Sequence, residues 1–252
     1  MTKVKSVFFT DKGKVRQHNE DSVGVFVNSH GDYLAVVADG MGGHRAGDVA
    51  SEMTIDILKE QWNTAGKMET AEQAEQWLKR HITDVNEQVF SYSKEHQECE
   101  GMGTTIVGAI CTDLFITIAN IGDSRGYILN ESGLQQLTED HSLVNELVRS
   151  GQISKEDAEH HPRKNVLLRA LGTESDVSMD VKTIVFEEQD TLFLCSDGLS
   201  NKISDKELLD IVSSELPLDE RGQKLIDLAN EYGGEDNITL VIVEYTAETE
   251  SG

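Results

Sequence analysis

The stretch Val36-Val37-Ala38-Asp39-Gly40-Met41-Gly42-Gly43-His44 decides how the chain is read. Residues 34–37 are apolar or nearly so and β-prone, and the run then meets an aspartate followed by glycines. A short apolar run closed by Asp-Gly predicts a buried strand that delivers one carboxylate at its C-terminal end. Gly40, Gly42 and Gly43 allow the backbone to turn sharply and to approach whatever that carboxylate holds. Asp-Gly alone is an ordinary turn signal. Three glycines in four positions, closed by His44 and followed by helical periodicity, ask for more.

The second half of the chain supplies it. Thr191-Leu192-Phe193-Leu194-Cys195-Ser196-Asp197-Gly198 repeats the grammar of a buried-strand run followed by Asp-Gly. Gly233-Gly234-Glu235-Asp236-Asn237 places a third carboxylate just before a strand over 238–245. Arg16-Gln17-His18-Asn19-Glu20-Asp21 puts a base and two acids before a strand over 22–27. Four acidic sites at strand ends, distant in sequence, suit convergence on hard cations, whose preferred donors are carboxylate, carbonyl and water oxygens.

Composition narrows the field. The 252 residues fit one large domain, with 46 acids against 22 bases and a formal charge of −24. That balance argues against nucleic acid or an anionic membrane as partner, because phosphate contacts need clustered Lys and Arg. Cys99, Cys111 and Cys195 have no C-x-x-C spacing, and two lie inside apolar runs. Free, buried thiols fit a reducing compartment, so a cytoplasmic protein is expected. No apolar leader opens the chain and no run reaches the length of a membrane helix, so no membrane insertion is expected.

Along the chain, strands are expected over 4–10, 22–27 and 33–39. A helix from Ala46 carries Val49, Met53 and Ile57 on one stripe, and a second over about 70–96 carries Leu78, Ile82, Val85 and Val89. Runs over 104–111, 114–121 and 125–130 follow so closely that antiparallel hairpins are expected, turned at 111–113 and 122–124. Residues 141–170 read as an excursion from the core with two short helices, and hold five bases: Arg149, Lys155, Arg163, Lys164 and Arg169. Strands are expected again over 177–186 and 191–195, then a helix opened by the capping box Ser204-Asp205-Lys206-Glu207, and a last one over about 218–231. Residues 1–246 form one domain in this reading, and 247–252 a polar tail. Hairpin strands with paired helices predict an α+β fold: two antiparallel sheets face to face with a helical layer on each side.

Taken together, Arg16–Asp21, Asp39-Gly40, Gly103-Thr104-Thr105, Gly122-Asp123-Ser124-Arg125, Asp197-Gly198 and Asp236-Asn237 resemble the metal-dependent serine/threonine protein phosphatases of type 2C. Asp-Gly-Met-Gly-Gly-His is similar to the bacterial branch, and the likeness spans about residues 5–245. It implies a central β-sandwich flanked by helix pairs. It also implies hydrolysis of phosphoserine and phosphothreonine in proteins by a hydroxide bridging two Mg or Mn ions roughly 3.5–4 Å apart. Asp39 would bridge both ions, the Gly40 carbonyl would complete one, and Asp197 and Asp236 would hold the other. Asp123 would join Asp197 at a looser third site. Asp21, with Glu20 and Asn237 behind it, would orient bound waters. Arg16 would clamp the phosphate through its fork of donors. The leaving-group acid falls to His44 or to a water, since Met41 stands where some relatives carry a histidine. Residues 141–170 are similar to the family's flap, and a serine/threonine kinase is the implied functional counterpart.

Rival readings lack support. Gly122-Asp123-Ser124-Arg125-Gly126 matches G-x-S-x-G, but that motif needs a strand-to-helix elbow and Tyr127-Ile128-Leu129 continues as strand. No cysteine is followed six residues later by arginine, and no glycine-rich loop ends in Lys-Ser/Thr. A catalytically inactive relative that binds phosphoproteins is the remaining alternative, disfavoured by the intact set of acids.

Overall fold

A computed structural model describes residues 3–43 and 46–246. His44 and the tail 247–252 therefore lie outside the described residues. The chain opens with β1 (Lys3–Asp11), β2 (Asp21–Val27) and β3 (Tyr33–Met41), followed by α1 (Ala46–Asn63) and α2 (Ala71–Glu95). Then come β4 (Gly103–Thr104), β5 (Ile106–Cys111), β6 (Phe115–Ile121), β7 (Arg125–Asn130) and β8 (Gly133–Gln136). Two short helices, α3 (Leu143–Arg149) and α4 (Lys155–Glu159), lead to β9 (Asp180–Val185) and β10 (Thr191–Cys195). The one-turn α5 (Asp197–Ser200), then α6 (Asp205–Val212), α7 (Leu218–Glu231) and β11 (Ile238–Thr246), complete the fold.

One sheet runs β1-β11-β10-β7-β8 and the other β2-β3-β5-β6-β9, with β4 paired to the end of β3. Every pairing within them is antiparallel. Side-chain alternation divides the strands between three apolar layers. Ala35 and Val37 point into the sandwich with Val107, Ala109, Ile116, Leu192, Leu194, Val241 and Val243. Leu34, Val36 and Ala38 point the other way, onto α1 and α2. Phe193, Leu240 and Ile242 meet α6 and α7 on the far side. The stretch 34–38 is apolar at every position because both of its faces are covered. This is the expected four-layer α-β-β-α architecture. Each buried aliphatic side chain contributes about 1.5–3 kcal/mol.

Local signals behave as their chemistry dictates. Thr70 and Gln73 form a reciprocal capping box at the start of α2, as do Ser204 and Glu207 before α6. Trp62 closes the outer layer edge-on against Trp77, with its Nε1–H donating to the Phe26 carbonyl at 3.1 Å.

Three expectations need correction. β3 runs on through Gly40 and Met41, because β4 pairs with both of them and holds them extended. The expected strand 104–111 is broken at Thr105, whose N–H turns aside to the Asp39 carbonyl at 2.8 Å. Gly122–Ser124 is not a hairpin turn. β6 pairs with β5 and β9, whereas β7 pairs with β10 and β8, so this turn carries the chain from one sheet to the other. The crossing sets Asp123 at the seam between the sheets. β8 and α5 were not expected; a four-residue strand and a single helical turn carry too little periodicity to be read.

Candidate metal centre and active site

The four acidic stretches meet at one end of the sandwich. Asp21 at the start of β2 and Asp39 near the end of β3 are directly opposite in the ladder. Both share the parity of Val23, Val25, Ala35 and Val37, so their side chains face inward, toward the other sheet. Ser196 takes up the inward parity of Leu192 and Leu194 on β10, and its Oγ–H donates to Asp21 Oδ2 at 2.8 Å. The same Oγ accepts from the Thr239 N–H at 3.1 Å, which ties β11 to the cluster. Asp197 follows Ser196 and lies near enough to Asp39 for the two carboxyl groups, one from each sheet, to perturb each other's charge.

Backbone and side-chain bonds fix each acid. The Asp39 N–H donates to Thr105 Oγ1 at 3.1 Å and its carbonyl accepts from Thr104 Oγ1 at 2.9 Å. Thr105 Oγ1 is in turn bonded to Ser124 Oγ at 2.7 Å. Asp197 Oδ2 accepts from Asn201 Nδ2 at 3.1 Å. Gly40 donates to the Glu20 carbonyl at 3.0 Å. Asn237 accepts from the Glu20 N–H at 2.8 Å and donates to the Lys12 and His18 carbonyls at 2.9 and 3.0 Å, locking the acidic loop against β11. A Cβ on Gly198 would stand 2.0 Å from the Asn237 carbonyl oxygen and 3.2 Å from Asp236 Cβ, so only glycine lets these two strand ends close up.

The electrostatics of the cluster are those of an anionic pocket. Burial pushes Asp21 up to about 7, with Asp197 and Asp236 adding to the rise. Burial and the charge of Asp197 push Asp123 up to about 8. Asp39 is held well above the carboxylate range by burial and by the charges of Asp21, Asp197, Asp123 and Asp236 together. Asp197 is raised by burial and then by Asp236. Asp21 Oδ1 is buried with no hydrogen-bond partner. Like charges at this density cost free energy unless positive charge enters among them.

These residues fit hard divalent cations: the clustered side-chain donors are carboxylate oxygens, the acids outnumber the neighbouring Arg16 and Arg125 guanidinium groups, and one buried carboxylate oxygen is orphaned. Among the described residues, no three acidic, histidine or cysteine side chains converge on one point. A Mg or Mn ion held here would complete its shell with backbone carbonyl and water oxygens, which both metals favour.

Arg16 lies beside the acids. Its Nη2–H donates to Asp236 Oδ2 at 2.8 Å, while Glu20 is 3.9 Å from Nη1. A cleft of about 930 Å³ runs from Asp123 and Asp197 beneath the 141–170 segment, past Val144, Val148, Lys155, His160 and Lys164. Neither α3 nor α4 buries a residue, so this segment stands off the core as the sequence suggested. The roles of Ser196, Thr105, Ser124 and Asn201 escaped the sequence reading. Ser196 could have been found from the parity of β10, the others only from the assembled fold.

Fold and site define a four-layer α-β-β-α protein with a buried acidic mouth whose chemistry suits divalent cations. Comparison then gives the family: residues 12–239 match the model of protein phosphatase 2C, and the chain belongs to that family. It is 53% identical to the serine/threonine phosphatase Stp of Listeria welshimeri over 94% of each chain. The solved structure of Stp1 from Staphylococcus aureus superposes with a TM-score of 0.91 at 39% identity, covering 96% of this chain and 95% of that one. The catalytic domain of the serine/threonine protein phosphatase PstP, in complex with two manganese ions, superposes with a TM-score of 0.86 at 31% identity over 98% and 100%. The chain is thus a protein-serine/threonine phosphatase dependent on divalent metal, acting on phosphoproteins. No helix among the described residues is long and apolar enough to cross a membrane.

Proposed function

We propose that this phosphatase holds two divalent cations, Mn or Mg, between Asp39, the Gly40 carbonyl, Asp197 and Asp236, with a looser third at Asp123 and Asp197. The observation that carries this reading is the meeting of Asp39 with Asp197 across the seam of the sandwich. Ions bound there would neutralise the phosphate dianion and lower the pKa of a water they share toward neutrality. Arg16 exchanges Asp236 for the incoming phosphate, which its planar fork grips through two oxygens. Asp21, fixed by Ser196, accepts hydrogen bonds from water at the site with its free Oδ1. Glu20, held by Asn237 through its backbone, stands beside it. The leaving serine or threonine alkoxide takes its proton from His44 or from water. If His44 is the donor, the alkaline limb of the kcat profile shifts in His44→Gln. Residues 1–246 act as one domain in the cytoplasm, opposing a serine/threonine kinase.

Turnover of a phosphothreonine peptide tests the reading, with Mn and with excess chelator, in wild type, Asp39→Asn and Asp197→Asn. Both variants are expected to lose about 100-fold or more in kcat, the scale at which a group that organises a charged transition state acts. Undiminished turnover after chelation overturns the reading.

A further inference from the structure

The seam turn that carries Asp123 is clasped by a histidine the reaction itself does not use. Gly122 sits at φ +106, and a Cβ there would fall 2.6 Å from Thr105 Cγ2. Only glycine fits, so the direction of its peptide is set by the fold. That residue is then bonded at both ends by His141: the His141 N–H donates to the Gly122 carbonyl at 2.9 Å, and the Gly122 N–H donates to His141 Nδ1 at 3.1 Å. His141 is 7% exposed. With Nδ1 accepting, the ring hydrogen belongs on Nε2, which lies 3.1 Å from Asp180 Oδ2 on β9. Arg169 Nη1 donates to the other carboxylate oxygen at 3.0 Å and lies 3.1 Å from the same ring nitrogen.

His141 and Arg169 are the two feet of the 141–170 flap. The Leu168 N–H donates to the His141 carbonyl at 2.8 Å, the Leu143 N–H to the Val166 carbonyl at 2.8 Å, and Ser142 bridges Leu167. The feet are thus pinned together, and both are docked on Asp180. One imidazole therefore spans from the flap's anchor on β9 to the peptide immediately before Asp123.

We propose that His141 is a positioning residue whose ring couples the docking of the flap feet on Asp180 to the placement of the Asp123 carboxylate. Release of the feet frees the ring, the Gly122 N–H loses its acceptor, and Asp123 loses its fixed place at the mouth of the cleft. The consequence for cations rests on the reading of Asp123 given above; the clasp itself does not.

Two substitutions split the two ends of the ring. In His141→Asn the side-chain oxygen falls where Nδ1 accepts, which keeps Gly122 and loses Asp180. In His141→Gln the amide nitrogen reaches toward Asp180, which keeps the flap and loses Gly122. Metal-stripped proteins are compared by amide exchange at Gly122, by the rate of tryptic cleavage at Arg163 and Lys164, and by calorimetric titration with Mn. His141→Gln is expected to exchange about tenfold faster at Gly122 and to bind its weakest Mn about tenfold less tightly, the scale of one lost buried hydrogen bond. His141→Asn is expected to keep Gly122 protected while cleavage in the flap quickens several-fold. Asp180→Asn, at a half-exposed strand edge, removes the carboxylate that holds the ring and Arg169 but leaves both side chains in place. Flap cleavage and Gly122 exchange are both expected to quicken there, wild-type exchange at Gly122 in this variant overturns the coupling, and the variant serves if either histidine variant fails to fold. Wild-type exchange at Gly122 in His141→Gln, or wild-type cleavage in both His141→Asn and Asp180→Asn, overturns the coupling. Asp123→Asn separates the premises: unchanged Mn stoichiometry there overturns the cation reading of Asp123, while exchange at Gly122 still reports on the clasp.

Discussion

Asp21 and Asp39 are directly opposed in the β2–β3 ladder, with both carboxyl groups turned toward the seam of the sandwich. Opposed carboxylates repel, and the repulsion here is sharpened by burial and by Asp197 on the facing sheet. The fold carries this tension at the place proposed above to take cations.

Metal removal should therefore weaken the fold. Mn at about a hundred times its Kd adds about 2.7 kcal/mol to the folded state. For a chain of this length that is roughly 5–10 °C in Tm. A thermal melt with and without excess chelator measures it, and identical melts would count against ions bridging the sheets.

The metal-free protein should lose stability as pH rises. Asp21 and Asp123 have folded pKa values raised to about 7 and about 8, against about 3.9 in the unfolded chain. Well below pH 4 both states hold these protons and the two groups contribute nothing. Between pH 4 and 8 the unfolded state releases them first, so its relative free energy falls and Tm drops, levelling above pH 8. Melts of stripped protein from pH 5.5 to 8.5 should slope downward, and saturating Mn should flatten the slope. A rising Tm over this range contradicts the assignment.

Asp39→Asn separates stability from catalysis. The amide removes one charge from the cluster, so the metal-free variant should melt above metal-free wild type, by about 2–4 °C for each kcal/mol of repulsion relieved. It should gain little from Mn. A variant less stable than wild type in both conditions would mean that the Asp39 carboxylate supports the fold rather than straining it.

Gly198→Ala forces a Cβ into the space of the Asn237 carbonyl. The overpacking should cost about 1–3 kcal/mol. Because Asp236 Cβ, at 3.2 Å, is the nearest side-chain atom met, Mn affinity should fall together with Tm. Stability and affinity unchanged in this variant would show that the 197–198 turn has room to shift.

Much of this was legible in the residues because burial on both faces leaves a plain mark. The stretch 34–38 is apolar throughout since α1 covers one side and the second sheet the other. Asp39, Asp197 and Asp236 could be gathered because each sits where an apolar run meets glycine or asparagine. What could not be read was which sheet a strand joins. β6 and β7 are separated by three residues, the spacing of a hairpin, yet they belong to opposite sheets. That choice is made by long-range partners, β9 and β10, which local spacing does not encode. His141 was invisible for a related reason: its worth lies in Gly122 and Asp180, 19 and 39 residues away.

The crossing at Gly122–Ser124 has a consequence for how the enzyme can fail. Its acids are drawn from both leaves of the sandwich, Asp21 and Asp39 from one, Asp197 and Asp236 from the other. A species in which the leaves have slid or parted keeps its strands and helices but would lose the proposed cation site. Retention of metal is then a stricter witness of nativeness than any spectroscopic measure of secondary structure, and partly unfolded molecules should be silent rather than sluggish.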